Sequence, residues 1–265
     1  MKKLTATIYC AATLCLASYA AQAGPAELAN MQMVDLSHTY GPDTLYWPSP
    51  PAKFDHKALS YGQTSGGYFY AAFSLCTPEH GGTHMDAPNH FFKDRQTIDQ
   101  IPLGNLFLPA VVIDVEAQAQ ADRNYRLTVA DIQAFETKHG VISQGSAILL
   151  RTGWDQYWPD AKAYLGDDTA GDASNLSFPS FSAAAITYLI EERSTKLIGL
   201  DTASIDYGKT TDFPVHQIVG EANIPGLENL TGLASLPATG AFIIALPMKV
   251  KGGSGAPTRV VALIP

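Results

Sequence analysis

His80-Gly81-Gly82-Thr83-His84-Met85-Asp86-Ala87-Pro88-Asn89-His90 gathers three of the chain's seven histidines and one carboxylate into eleven residues. Imidazole nitrogen and carboxylate oxygen suit Zn²⁺, Mn²⁺ or a similar divalent ion, and a site of such ligands that keeps one position open can activate water. The stretch resists both regular conformations. An extended strand of four residues spans roughly 13 Å, too far for His80 and His84 to reach one ion, whereas a helix would set them on one face at i and i+4. Gly81 and Gly82 oppose a helix and admit unusual backbone angles, and Pro88 bars its continuation. The reading is a tight bend that turns His80, His84 and Asp86 inward, and it points to hydrolysis. The structural alternative is a glycine turn carrying separate histidines, each satisfied by backbone partners.

Further segments extend the pattern: Val34-Asp35-Leu36-Ser37, Leu150-Arg151-Thr152-Gly153-Trp154, Gly199-Leu200-Asp201-Thr202-Ala203-Ser204-Ile205-Asp206, and His216 followed by Glu228-Asn229-Leu230. Together with the histidine stretch they resemble the cyclase family of metal-dependent hydrolases, which includes bacterial kynurenine formamidase and isatin hydrolase. The resemblance implies a β-rich core flanked by helices. It also implies that His80, His84 and Asp86 bind a divalent metal, that His216 and Glu228 supply a second metal position, and that His90 transfers protons. Glu228 separates the two branches. Isatin hydrolase resembles the chain from Leu236-Pro237-Ala238-Thr239-Gly240 to Pro265 but has no carboxylate at this position and works with a single ion, whereas the formamidase type uses two. One or two ions of Zn²⁺ or Mn²⁺ are therefore expected, with a homodimer implied by the same resemblance.

At the N-terminus, Lys2 and Lys3, an apolar run from about Ala6 to Ala20 and Ala21-Gln22-Ala23 have the layout of a secretory signal peptide over residues 1–23. The apolar run is interrupted by Thr7, Thr13 and Ser18 and is short for a membrane span. Cleavage would leave residues 24–265 as one domain in the periplasm or outside the cell. It would also shift the formal charge from −8 to −10, because two lysines leave without an acid. An acidic balance disfavours nucleic acid and anionic membrane as partners. Cys76 would be the sole remaining cysteine, which excludes an intramolecular disulfide, and its apolar surroundings suggest a buried structural thiol.

Strand candidates rich in β-branched and aromatic residues are Tyr68–Leu75, Ala110–Val115, Ala147–Arg151, Lys196–Leu200, Ala241–Leu246 and Arg259–Ile264. Thr128 with Asp131 reads as a capping box opening a helix that Gly140 ends, and Ser182 opens a second over Ala183–Arg193. Strands and helices mix without strict alternation, so the fold class is a mixed α/β arrangement, a mixed sheet or open barrel flanked by helices. Gly41–Pro51, Gly166–Pro179 and Lys251–Pro257 read as loops, Gly252-Gly253-Ser254-Gly255 among them.

No His-Glu-x-x-His segment, Gly-x-Ser-x-Gly elbow or Walker loop is present. The chemistry expected is metal-activated attack on a small aromatic amide or lactam, an N-formyl arylamine or an isatin-like ring, with His90 carrying a proton to the departing nitrogen. Trp47, Trp154, Tyr68 and Tyr70 are the aromatic candidates for covering the substrate ring, with a place in the core as their alternative. The competing reading is a periplasmic binding protein that holds the same ligand cluster without turnover.

Overall fold

A computed structural model describes residues 30–48 and 53–265. The leader expected over residues 1–23 lies outside the described residues, as does the end of the Gly41–Pro51 loop. Gln32–Pro265 forms one compact unit.

All six expected strands are present, one to the residue and five with shifted ends: Phe69–Cys76 (β3), Phe107–Asp114 (β5), Ala147–Arg151 (β7, as expected), Leu197–Leu200 (β9), Ala241–Pro247 (β11) and Gly255–Ile264 (β12), whose first residues Gly255–Pro257 were expected in a loop. Strands that the sequence did not announce complete the set. They are Gln32–Asp35 (β1), Asp55–Gln63 (β2), His84–Asp86 (β4), Arg126–Leu127 (β6), Ser180–Phe181 (β8) and Gly226–Glu228 (β10). The main sheet runs β1-β12-β11-β5-β7-β9-β10-β4, and β4 also pairs with β12. Seven strands thus close into a barrel-like ring, with β1 added alongside β12. The strands β5, β7, β9 and β10 are parallel to one another, and the remaining pairs of this sheet are antiparallel.

The parallel strands read as continuous apolar runs because both their faces are buried. Ala110, Val112, Ala147, Leu149 and Leu197 point into the ring, where Ala245, Ala256 and Ala262 of the antiparallel strands also pack. Their alternates Val111, Ile113, Ile148, Leu150, Ile198 and Leu200 form a second core against helices. Those helices start where their caps place them. In Val129–His139 (α2), Thr128 Oγ1 accepts from the Asp131 N–H at 3.2 Å while Asp131 accepts from the Thr128 N–H at 2.8 Å, and Gly140 closes the helix at φ +89°. In Ala183–Arg193 (α4), Ser182 Oγ accepts from the Ala185 N–H at 3.2 Å, and Ala185, Ile186 and Leu189 turn to the sheet. Glu116–Ala121 (α1), Ala161–Leu165 (α3) and Pro214–Glu221 (α5) were not foreseen. Pro214 gives α5 a start, since its missing N–H costs nothing in the first turn.

Two of the segments that carried the resemblance hold the frame together. Asp201, fully buried after β9, accepts from the Thr152 and Gly153 N–H groups and from the Thr152 hydroxyl at 2.6–3.1 Å. This ties the ends of two parallel strands.

Cys76 corrects an expectation: it is exposed. The β2–β3 hairpin is a two-stranded sheet separate from the barrel, and Leu59, Tyr61, Tyr68, Phe69, Tyr70 and Leu75 are exposed on it. An apolar run signals a core only where a second layer covers it, and among the described residues none covers this hairpin.

Candidate metal centre

The strand β4 settles how the histidine stretch is built. Met85 is fully buried inside the barrel, so its neighbours His84 and Asp86 face the opposite side by the two-residue period of a strand. Glu228 pairs with His84 across the antiparallel β10–β4 ladder, again with its neighbour Leu227 in the core. The bend is confined to residues 80–83, with Gly81 at φ +150° and Gly82 at φ +56°. Added Cβ atoms there would lie 2.0 Å from the Tyr46 ring and 2.7 Å from that of Tyr40. The tight bend expected to turn His80, His84 and Asp86 inward therefore accounts for His80 alone. His80 comes from the bend, while His84 and Asp86 come from a strand that antiparallel neighbours stabilise on both sides.

His216 arrives from α5, more than a hundred residues away in sequence, and its Nε2 lies 3.2 Å from Asp86 Oδ2 and 3.4 Å from Glu228 Oε1. His84 Nε2 lies 3.2 Å from Asp86 Oδ1 and 3.4 Å from Glu228 Oε2. His80 Nδ1 lies 2.6 Å from Asp86 Oδ1. The structure therefore brings together His80, His84, Asp86, His216 and Glu228, and Asp86 is the shared member.

Hydrogen bonding decides which nitrogen each imidazole presents. His84 Nδ1 is 2.9 Å from the Gly82 carbonyl, which can only accept, so Nδ1 bears the proton and Nε2 faces the carboxylates. His216 Nδ1 is 2.8 Å from Asp206 Oδ2, and Asp206 also accepts from the Val215 and His216 N–H groups. Its Nε2 is likewise left for the centre. The His84 Nε2 atom is buried with no hydrogen-bond partner, an arrangement that costs free energy unless something fills it. Lone pairs converging on two buried carboxylates are a donor set for a cation, and these residues fit a divalent metal.

Charge placement agrees. Burial would lower the His84 pKa, but Asp86 and Glu228 outweigh it and raise it to about 9. Burial opposes His216 too, yet Asp206, Asp86 and Glu228 hold it well above the usual imidazole range. Burial would raise Asp86, and the imidazoles of His80, His216 and His84 pull it well below the usual carboxylate range. The centre takes up positive charge as protons or as a metal, which displaces them.

His90 ends the short helical turn Pro88–His90 and stacks on His80 with ring centroids 3.8 Å apart. Burial lowers its pKa to about 4, against a smaller opposing effect of Asp86. One of its ring nitrogens also lies within 4.8 Å of ligand atoms on Asp86 and His216. All four site histidines and Glu228 line a cavity of about 330 Å³ whose apolar walls include Leu45, Trp47, Phe91, Leu165 and Phe213. Of the four aromatic candidates, only Trp47 lines it. Trp154 is buried and donates to the Tyr164 carbonyl at 2.8 Å, and Tyr68 and Tyr70 lie on the exposed hairpin. The lining residues Phe91 and Phe213 were missed: adjacency to His90 is the signal that could have marked Phe91, whereas no local pattern marks Phe213, which directly precedes α5.

The Cyclase family model matches residues 34–207. The chain is 34% identical over 250 residues to isatin hydrolase of Roseibium aggregatum, covering 89% of this chain and 92% of that protein. It is 28% identical over 236 residues to kynurenine formamidase of Salinibacter ruber, covering 87% and 97% respectively. Among solved structures, isatin hydrolase A from Ralstonia solanacearum superposes with a TM-score of 0.81 at 35% identity, over 89% of this chain and 93% of that one.

Proposed function

The chain belongs to the Cyclase family, and from that membership we propose that it is a metal-dependent amidohydrolase cleaving a C–N bond of a small aromatic amide or lactam. An isatin-like ring is the favoured substrate class, on the higher identity to isatin hydrolase, and an N-formyl arylamine is the second. The observation that carries the reading is the convergence of His80 Nδ1, His84 Nε2 and His216 Nε2 on Asp86, with Glu228 beside the latter two, at the base of an apolar-walled cavity.

In this reading His80, His84 and Asp86 would hold one divalent ion, Zn²⁺ or Mn²⁺, and His216 and Glu228, next to Asp86, would hold a second. A divalent ion in such a site supplies Lewis-acid polarisation of the substrate carbonyl and lowers the pKa of water at its open position. Asp206 keeps His216 in the tautomer that presents Nε2, as the Gly82 carbonyl does for His84. His90, neutral at physiological pH and stacked beside His80, accepts a proton from the attacking water and returns it to the departing nitrogen. Trp47, Phe91 and Phe213 receive the aryl ring and exclude bulk water. The proposal includes a homodimer that covers the exposed β2–β3 hairpin, read by sedimentation of the purified protein, and export by the leader over residues 1–23, read by sequencing the mature N-terminus.

The test is metal analysis of the purified protein together with turnover of isatin, N-formyl anilides and aryl esters. Turnover abolished by a chelator and restored by Zn²⁺ or Mn²⁺ supports the proposal. Well-folded, metal-loaded protein that turns over none of them overturns it in favour of a binding protein.

A further inference from the structure

The Gly252-Gly253-Ser254-Gly255 loop, which the proposed chemistry leaves unused, lies against the metal centre. It leads into β12 where Gly255 pairs with Asp86 and Ala256 with Met85. The Ser254 carbonyl accepts from the Ala87 N–H at 2.8 Å and the Gly253 carbonyl from the Ile98 N–H at 2.9 Å, so the loop is stitched to the segment that carries the ligands. Its side chain contacts follow from this. Ser254 Oγ is 2.9 Å from His80 Nε2 and 2.7 Å from Glu79 Oε2, which also accepts from the Ser254 N–H at 2.8 Å.

The proton count along this chain has one solution. An ionised carboxylate can only accept, so the single Ser254 hydroxyl proton goes to Glu79. Ser254 Oγ must then accept from His80, which puts a proton on Nε2 and leaves Nδ1 facing Asp86 Oδ1, 2.6 Å away, where it donates to the carboxylate until a metal displaces its proton. Space enforces the same arrangement. A Cβ at position 253 would lie 2.8 Å from Glu79 Oε1, and one at position 255 would lie 2.5 Å from His80 Cε1. The flanking glycines leave room for the two side chains that Ser254 joins.

We propose that Ser254 and Glu79 are positioning residues for His80: together they fix the imidazole tautomer and ring orientation in which Nδ1, and not Nε2, is offered to the metal. The role complements those of the Gly82 carbonyl at His84 and Asp206 at His216. It rests on the metal-centre reading above, and partners of this kind typically contribute 10- to 100-fold, as an order of magnitude, to metal affinity.

Zn²⁺ affinity is measured by competition with a chromophoric chelator for wild type, Ser254→Ala, Glu79→Gln and the double variant, with folding followed by thermal melts. Ser254→Ala is expected to weaken the tighter or the weaker Zn²⁺ event by about 10- to 100-fold. Glu79→Gln should weaken the same event by less, and the double variant should lose less than the sum of the two single losses, because Glu79 reaches the imidazole through the hydroxyl and keeps only its bond to the Ser254 N–H in Ser254→Ala. Affinity of Ser254→Ala within about threefold of wild type, or single losses that simply add in the double variant, would overturn the proposal. A second readout does not need the metal. In chelated, ¹⁵N-histidine-labelled protein, long-range ¹⁵N–¹H correlation should show His80 protonated at Nε2 in wild type and a loss of protonation at Nε2 in Ser254→Ala. A wild-type His80 with bare Nε2 refutes the positioning role even if Zn²⁺ binds. A correct tautomer in a wild type that binds no Zn²⁺ instead refutes the metal-centre reading.

Discussion

Gly255→Ala places one methyl group where the fold has no room for it. The added Cβ would lie 2.5 Å from His80 Cε1, 2.8 Å from the Met85 carbonyl oxygen and 3.0 Å from His80 Nδ1. Carbon atoms rest at about 3.5–4.0 Å, so relief requires a displacement of about 1 Å. The Met85 oxygen belongs to β4, which is paired on both sides, and residue 255 itself pairs with Asp86. The His80 ring is the part that can move. A shift of about 1 Å in a reacting constellation costs on the order of 10²-fold in rate, and overpacking of a buried site costs about 1–3 kcal/mol. With about 2–4 °C per kcal/mol for a domain of this size, Tm should fall by roughly 2–12 °C. The assay combines kcat on the best substrate of the panel, Zn²⁺ titration and a thermal melt. The expected result is kcat lowered about 100-fold with weaker Zn²⁺ binding and a folded protein. Wild-type kcat and Zn²⁺ affinity in the variant would show that the position of His80 is not what the loop controls.

His90→Ala should keep most bound metal while lowering kcat by about 10² to 10⁴; metal loss matching that of His84→Ala would make His90 a ligand instead. Chelation should lower Tm by about 5–11 °C when the metal had been present at about 100 times its Kd, since binding at that excess contributes about 2.7 kcal/mol. An unchanged melt would show that no bound ion stabilises the fold. Glu136 accepts from Arg193 at 2.6 and 2.8 Å, joining α2 to α4, and this hydrogen-bonded pair depresses the Glu136 pKa. A depressed folded-state value means the stability is present above the ordinary glutamate range and is lost as pH falls through the depressed pKa. Melts of Glu136→Gln from neutral to acidic pH should therefore show lower stability at pH 7 and a shallower acid decline than wild type. Parallel curves would remove the pair from the acid limb.

The residues that local chemistry governs were legible in the sequence. The Thr128–Asp131 box and Ser182 placed two helices to the residue, because a cap is satisfied within three positions of itself. Apolar runs marked β5, β7 and β9, because parallel strands covered on both faces carry no polar alternation, and β-branched and aromatic composition marked β3, β11 and β12. What escaped depends on partners far along the chain. The strands β4 and β10 are three residues each and exist because they pair with one another and with β9 and β12. Their register, and not their composition, puts Glu228 beside His84. The hairpin shows the converse, since its composition resembles a core strand while its position leaves Cys76 and its aromatics exposed. Ser254 was unreadable for the same reason: a glycine-rich loop gains a role only when β12 brings it against a histidine 174 positions earlier.

The central claim is that the fold fixes which nitrogen of each histidine meets the ion, so the most direct test is a crystal structure of Zn²⁺- or Mn²⁺-loaded protein with anomalous scattering to locate the metal. Anomalous density is expected next to Asp86, with His80 bound through Nδ1 and His84 and His216 through Nε2, at about 2.0–2.2 Å. Density away from Asp86, or His80 or His84 bound through the opposite nitrogen, would contradict the claim.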